Sequence, residues 1–195
     1  MNLPNKITLT RIFMIPVFVA IFFLDGVLPY NYMIAAIVFA VAACTDFIDG
    51  HIARSRGLVT NLGKFLDPIA DKVLVSTAML LMLAIKEQIV FYLGYEWYVV
   101  MAVCVCIIMA REFIISAFRQ IAATRGLVMA ADKLGKYKTT FQDISIFVII
   151  FSVDVNWGAG VVWFGFILFI IATVLTVWSG ISYVVKNKQV LKDAD

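Results

Sequence analysis

Charge, histidine and cysteine are all scarce in this chain. Of its 195 residues 15% are charged and 63% are hydrophobic, and the mean hydropathy is +0.98. A water-soluble domain of this size has no need for so much apolar surface, so the shortage of charge points to membrane helices. The single histidine, His51, and the three cysteines, Cys44, Cys104 and Cys106, show no metal-type spacing. Cys104 and Cys106 are two apart, so on a helix they point to different sides. All three cysteines fall in apolar runs and are expected to be buried, inert thiols. Long linkers, low-complexity tracts and convincing short repeats are missing too, which leaves a single membrane domain over 1–195. The first apolar run contains Pro16 and is followed by no small-x-small cleavage pattern, so it is expected to be retained. Nothing in the composition calls for a nucleic-acid partner.

What is present is a series of apolar runs. A membrane-spanning helix needs about 20 apolar residues. Candidates lie at roughly 9–24, 31–53, 65–86, 97–122, 139–153 and 160–185. The expected fold is therefore all-α, a polytopic bundle of six transmembrane helices. Lys6, Arg11, Arg54, Arg56, Lys64, Arg119, Arg125, Lys133, Lys136, Lys138, Lys186, Lys188 and Lys192 flank one set of ends. The opposite connections carry Asp25, Glu87, Glu96 and Asp154, with Lys86 as their base. Cytoplasmic loops favour Lys and Arg, which places both termini in the cytoplasm. Tyr30, Tyr32, Tyr92, Tyr95, Trp97, Tyr98 and Trp157 gather towards the other face, as an interfacial aromatic belt does.

Against this background, Asp46 to Lys72 stands out: DFIDGHIARSRGLVTNLGKFLDPIADK. On a helix Asp46, Asp49, Gly50 and Ala53 share one face, and Gly63, Asp67 and Asp71 share another. Gly57 can stop the first helix, and Thr60 or Asn61 can cap the next. A short turn would make the two helices antiparallel neighbours with four converging carboxylates. Four such charges repel in a low dielectric. Two divalent cations would neutralise them, and oxygen-only ligation suits Mg²⁺ or Mn²⁺. Paired metals recur in phosphoryl and phosphodiester chemistry. The competing explanation is capping, or pairing with Arg54, Arg56, Lys64 and Lys72, which accounts for one or two of the aspartates more easily than for all four.

The spacing D-x2-D-G-x2-A-R-x8-G-x3-D-x3-D, carried by Asp46, Asp49, Gly50, Ala53, Arg54, Gly63, Asp67 and Asp71, resembles the signature of the CDP-alcohol phosphatidyltransferases, with no departure. NLPNKITLTRIFMIPVF, AREFIISAFRQIAATRG and LGKYKTTFQ extend the likeness over nearly the whole chain. The resemblance implies a six-helix membrane enzyme, commonly a homodimer, with its active site open to the cytoplasm of a bacterial cell. It implies CDP-diacylglycerol as donor and, by overall likeness, sn-glycerol 3-phosphate as acceptor, in a membrane of phospholipid. It places two metal ions among Asp46, Asp49, Asp67 and Asp71, with Asp71 as general base. It places the CDP moiety at Gly50, Ala53 and Arg54, with Asn5 and Thr8 approaching the nucleotide.

The signature does not name the acceptor. Arg111 lies well inside an apolar run, and Arg119, eight residues on, falls about 80° around the helix and so on nearly the same face. Lys136 and Lys138 open the next helical stretch. An anionic acceptor needs such a basic pocket, and arginine binds phosphate through a bidentate fork. The resemblance puts acceptor-phosphate contacts at Arg111, Arg119, Lys136 and Lys138. Arg125 and Lys133 are read as topological charges. Glu112 is not expected to pair with Arg111, because adjacent helix positions face apart. His51 occupies a wildcard position away from the aspartate face. Inositol phosphate, serine or phosphatidylglycerol are other acceptors within the family. A divalent-cation transporter is the reading from another class, although transport sites usually sit at the midplane between repeats. A non-catalytic scaffold is the third.

Overall fold

The computed structural model describes residues 3–55, 61–124, 133–155 and 157–188. Within these it describes only the backbone at 3–6, 46–55, 61–65, 67, 123–124, 133–134 and 136. Among the described residues the chain is all-helical: α1 (Leu3–Phe22), α2 (Asn31–Ser55), α3 (Asn61–Ala84), α4 (Lys86–Leu93), α5 (Tyr95–Thr124), α6 (Lys133–Val155) and α7 (Ala159–Lys186). Each expected span falls on a helix, and α4 is additional. The charges of Lys86 and Glu87 predict a connection there. The spacing of Ile89 and Leu93 gives that stretch one buried side, so it folds as a helix instead. A 68° bend at Ile85 separates it from α3, and Gly94, at φ 93°, ends it.

Among the described residues α5 (Tyr95–Ala122) and α7 are each long and apolar enough to cross a membrane, and the bent α3–α4 pair can be counted as a third such segment. Ile7–Phe22 and Asn31–Thr45 are shorter apolar helices. The outer faces are apolar as well. On α7, Phe164, Ile167, Val174, Trp178, Ile181 and Val185 are exposed. So extensive an apolar exterior suits lipid rather than water, and the chain is a membrane protein.

The inner face of α7 runs through Val162, Gly165, Phe166, Phe169, Ala172, Thr173, Thr176, Ser179, Gly180 and Tyr183, a continuous helical stripe. Its buried hydroxyls are satisfied locally: Thr173 donates to the Phe169 carbonyl at 2.8 Å and Thr176 to that of Ala172 at 2.7 Å. A Cβ on Gly165 would lie 2.8 Å from Ile149 Cγ1, so the glycine lets α6 and α7 approach closely. Phe18 and Phe22 of α1, Phe39 of α2, Met79 and Met82 of α3, Met101 and Ile108 of α5, and Ile146 of α6 complete one core.

The start of α2 is tied to the ends of α1 and α6, so α2 runs antiparallel to both. At the far end Asn31 Nδ2 donates to the Phe22 carbonyl at 2.8 Å, closing the α1–α2 turn. The Met33 N–H donates to Asp154 Oδ2 at 2.8 Å, so a side chain at the end of α6 caps the start of α2. The cysteines depart from expectation. Cys104 is buried, but Cys44 and Cys106 are exposed on apolar outer faces. The two-residue spacing that turned Cys104 inward turned Cys106 outward.

Candidate active site

The two aspartate-bearing segments sit on helices that touch. Asp46, Asp49, Gly50, Ala53 and Arg54 lie in the C-terminal half of α2, and Gly63, Asp67 and Asp71 in the N-terminal half of α3. Pro68 falls inside α3 between Asp67 and Asp71, and without an N–H it leaves the Lys64 carbonyl without its helical donor. Asp71 is partly buried. The side chains of Asp46, Asp49, Ala53, Arg54 and Asp67 lie outside the described residues, as do those of Asn5, His51 and Lys136. The 56–60 connection, with Gly57 and Thr60, is outside them too, and α3 begins at Asn61.

On α1, Thr8 is buried and Arg11 is wholly so. Arg11 Nε donates to Thr45 Oγ1 at 3.4 Å, and that hydroxyl donates to the Ala42 carbonyl at 2.7 Å. An arginine read in the sequence as a flanking charge is thus packed against α2, one residue before Asp46.

A second cluster ties α3, α5, α6 and α7 together. Arg111 Nη1 donates to Glu112 Oε1 at 3.0 Å, and Arg111 Nη2 donates to Ser179 Oγ at 3.0 Å. Ser179 passes its own proton to the Thr176 carbonyl at 3.1 Å, which leaves its oxygen to accept. Arg111 Nε is buried and has no hydrogen-bond partner among the described residues. Gly180 leaves space for this side chain, since a Cβ there would lie 3.1 Å from both Arg111 Cγ and Nε. Lys138 Nζ meets the same Glu112 Oε1 that Arg111 holds. Ser116 donates to the Glu112 carbonyl at 2.6 Å, and Lys72, the neighbour of Asp71, donates to Ser116 Oγ. Arg119 Nε donates to the Tyr183 hydroxyl at 3.2 Å, with its guanidinium carbon 5.3 Å from the ring centroid.

Arg111 and Arg119 both turn towards α7, as their eight-residue spacing predicts, and Lys138 joins Arg111 at one carboxylate. The expectation that Arg111 and Glu112 stay apart is corrected. Their Cβ atoms diverge, but both side chains are long, and the Lys138 ammonium draws the carboxylate to the same point. Ser116, Ser179 and Tyr183 carry no expectation from the sequence, and Glu112 was expected to stand apart from Arg111. The only signal was the polar pair at 179 and 183, four apart in an apolar run. Among the described residues no group of three or more His, Cys, Asp or Glu side chains gathers for a metal. Of the four signature aspartates, those residues include the side chain of Asp71 alone.

An all-helical bundle with an apolar exterior and charged groups clustered inside it is an integral membrane protein. The chain belongs to the CDP-alcohol phosphatidyltransferase family, whose model matches residues 1–178. It is 38% identical over 206 residues to the CDP-diacylglycerol–glycerol-3-phosphate 3-phosphatidyltransferase of Bacillus subtilis, covering 100% of this chain and 99% of that one. It is 39% identical over 184 residues to the protein of the same name from Escherichia coli K12, covering 93% and 92%. The Salmonella typhimurium protein of that name is 38% identical over 186 residues, again covering 93% and 92%. Ser179 and Tyr183, the partners of the two arginines, lie just beyond the stretch matched by the family model.

Proposed function

We infer that the chain transfers the phosphatidyl group of CDP-diacylglycerol to sn-glycerol 3-phosphate, releasing CMP and forming phosphatidylglycerophosphate. The likeness over nearly full length to relatives of that name supports the donor and the reaction. The observation that carries the acceptor is the convergence of Arg111 and Lys138, with side chains only 15% and 7% exposed, on one interior point. A phosphate monoester is the kind of acceptor group that such desolvated cations bind well. Serine and phosphatidylglycerol offer no such group.

Asp46, Asp49, Asp67 and Asp71 fit as hard-oxygen donors for two divalent cations, Mg²⁺ or Mn²⁺, because two touching helices carry the four carboxylates. Bound there, the cations supply Lewis acidity at the pyrophosphate and charge compensation for departing CMP. Asp71 accepts the proton of the glycerol C1 hydroxyl as its oxygen forms the new bond to the phosphatidyl phosphorus. The bond from that phosphorus to the CMP oxygen breaks, and CMP leaves. Asn5, Thr8, Gly50, Ala53 and Arg54 hold the CDP moiety. Arg111, Arg119, Lys136 and Lys138 hold the acceptor phosphate. The fold in this reading is one domain of six spans with both termini and the site on the cytoplasmic side of a bacterial inner membrane, working as a homodimer. The distribution of Lys and Arg towards one set of helix ends supports that orientation.

Purified protein in detergent, given CDP-diacylglycerol and glycerol 3-phosphate, should release CMP when Mg²⁺ or Mn²⁺ is added and stop when EDTA is in excess. Asp71→Asn should lower the rate by about a hundredfold or more, the usual scale for a lost general base. CMP release that ignores the metal and survives Asp71→Asn would remove this reading.

A further inference from the structure

We propose that Glu112 is a positioning residue for the acceptor, holding the Arg111 guanidinium and the Lys138 ammonium together so that both face the acceptor phosphate. This rests on the acceptor reading above and extends it to a residue that reading does not use. Arg111 and Lys138 are both largely withdrawn from solvent, and like charges placed so repel strongly. The charges of Arg111 and Arg119 both act against that of Lys138. One oxygen, Glu112 Oε1, touches Arg111 and Lys138 at once and offsets that repulsion.

The surroundings fix this oxygen and its partners. Ser116 bonds the Glu112 carbonyl, and Ser179 holds the far nitrogen of the Arg111 fork. Among the described residues Arg111 Nε has no hydrogen-bond partner, and it is buried, a donor placed where an incoming anion could take it. Neutralising Glu112 frees Lys138 to turn away or to lose its proton, and the phosphate then loses a donor.

The test is steady-state CMP release by the full chain in detergent, varying glycerol 3-phosphate and CDP-diacylglycerol in turn, for wild type, Glu112→Gln and Glu112→Asp. Glu112→Gln should raise KM for glycerol 3-phosphate about tenfold and leave KM for CDP-diacylglycerol within about twofold, the scale of one charge-assisted hydrogen bond. Glu112→Asp keeps the charge and should recover part of the loss. If Glu112→Gln elutes aggregated, Glu112→Asp alone decides, through a selective rise in the glycerol 3-phosphate KM. An unchanged or lowered KM for glycerol 3-phosphate, or an equal rise in both KM values, would overturn the proposal. Wild-type protein that releases no CMP in response to glycerol 3-phosphate would remove the acceptor reading itself, and the role of Glu112 with it.

Discussion

Arg111 shows how the chemistry was half visible in the sequence. A cation deep in an apolar run is costly unless it is satisfied, which marked it as functional before any contact was known. One contact that satisfies it is its chain neighbour Glu112, and the rest of its surroundings come from elsewhere: Ser179, which accepts from it, and Gly180, which leaves it space, lie on α7, and Lys138, which shares its carboxylate, lies on α6. No spacing rule within one helix reports such contacts. Arg11 misled in the opposite direction, since its position near an apparent span end suggested a loop charge and it is fully buried against Thr45. Gly180→Ala tests the fit around Arg111 directly. The new Cβ would press on Arg111 Cγ and Nε at 3.1 Å, and the long side chain would yield by turning from Ser179. KM for glycerol 3-phosphate should rise about threefold to tenfold with kcat little changed, as expected when binding alone is weakened. An unchanged KM would mean that the position of Arg111 does not limit acceptor binding.

At the scale of elements, the helices were legible because apolar run length and flanking charge define them. The expected span at 160–185 and α7, Ala159–Lys186, nearly coincide. The junction of α3 and α4 was not legible. Lys86 and Glu87 read as the polar content of a loop, while Ile89 and Leu93 had too short a stretch to declare a helix by periodicity. The close packing of α6 on α7 was not legible in the sequence. Gly165 carries it. In an exposed helix a change from Gly to Ala gains about 0.5–1 kcal/mol. Here the added Cβ would sit 2.8 Å from Ile149 Cγ1, and Ile149 is itself buried. Overpacking of this kind costs about 1–3 kcal/mol, so the balance favours destabilisation. Gly165→Ala should lower the unfolding midpoint in detergent and leave both KM values unchanged in protein that remains folded. A raised midpoint would show that Ile149 moves aside freely.

The whole molecule is organised by its two ends. At one, Asp154 caps α2 and Asn31 closes the α1–α2 turn, and these contacts are structural. At the other, α2 and α3 carry the signature aspartates, while α5, α6 and α7 bring Arg111, Arg119 and Lys138 together. The aspartate half of the proposed site was legible as a motif, because its residues are close in sequence. The proposed acceptor half was legible only as scattered cations, because its residues come from three helices. The central claim is that this second half selects an acceptor bearing a phosphate monoester, and glycerol 3-phosphate in particular. The most direct measurement is CMP release by the purified wild-type protein with CDP-diacylglycerol and Mg²⁺, comparing glycerol 3-phosphate, inositol phosphate, serine and phosphatidylglycerol as acceptors. The predicted result is a kcat/KM for glycerol 3-phosphate above each of the others by about a hundredfold or more, the discrimination expected when charged donors are left unmatched by the wrong substrate. Comparable or faster release with serine or phosphatidylglycerol would contradict it, and faster release with inositol phosphate would keep the phosphate pocket but change the alcohol that it presents.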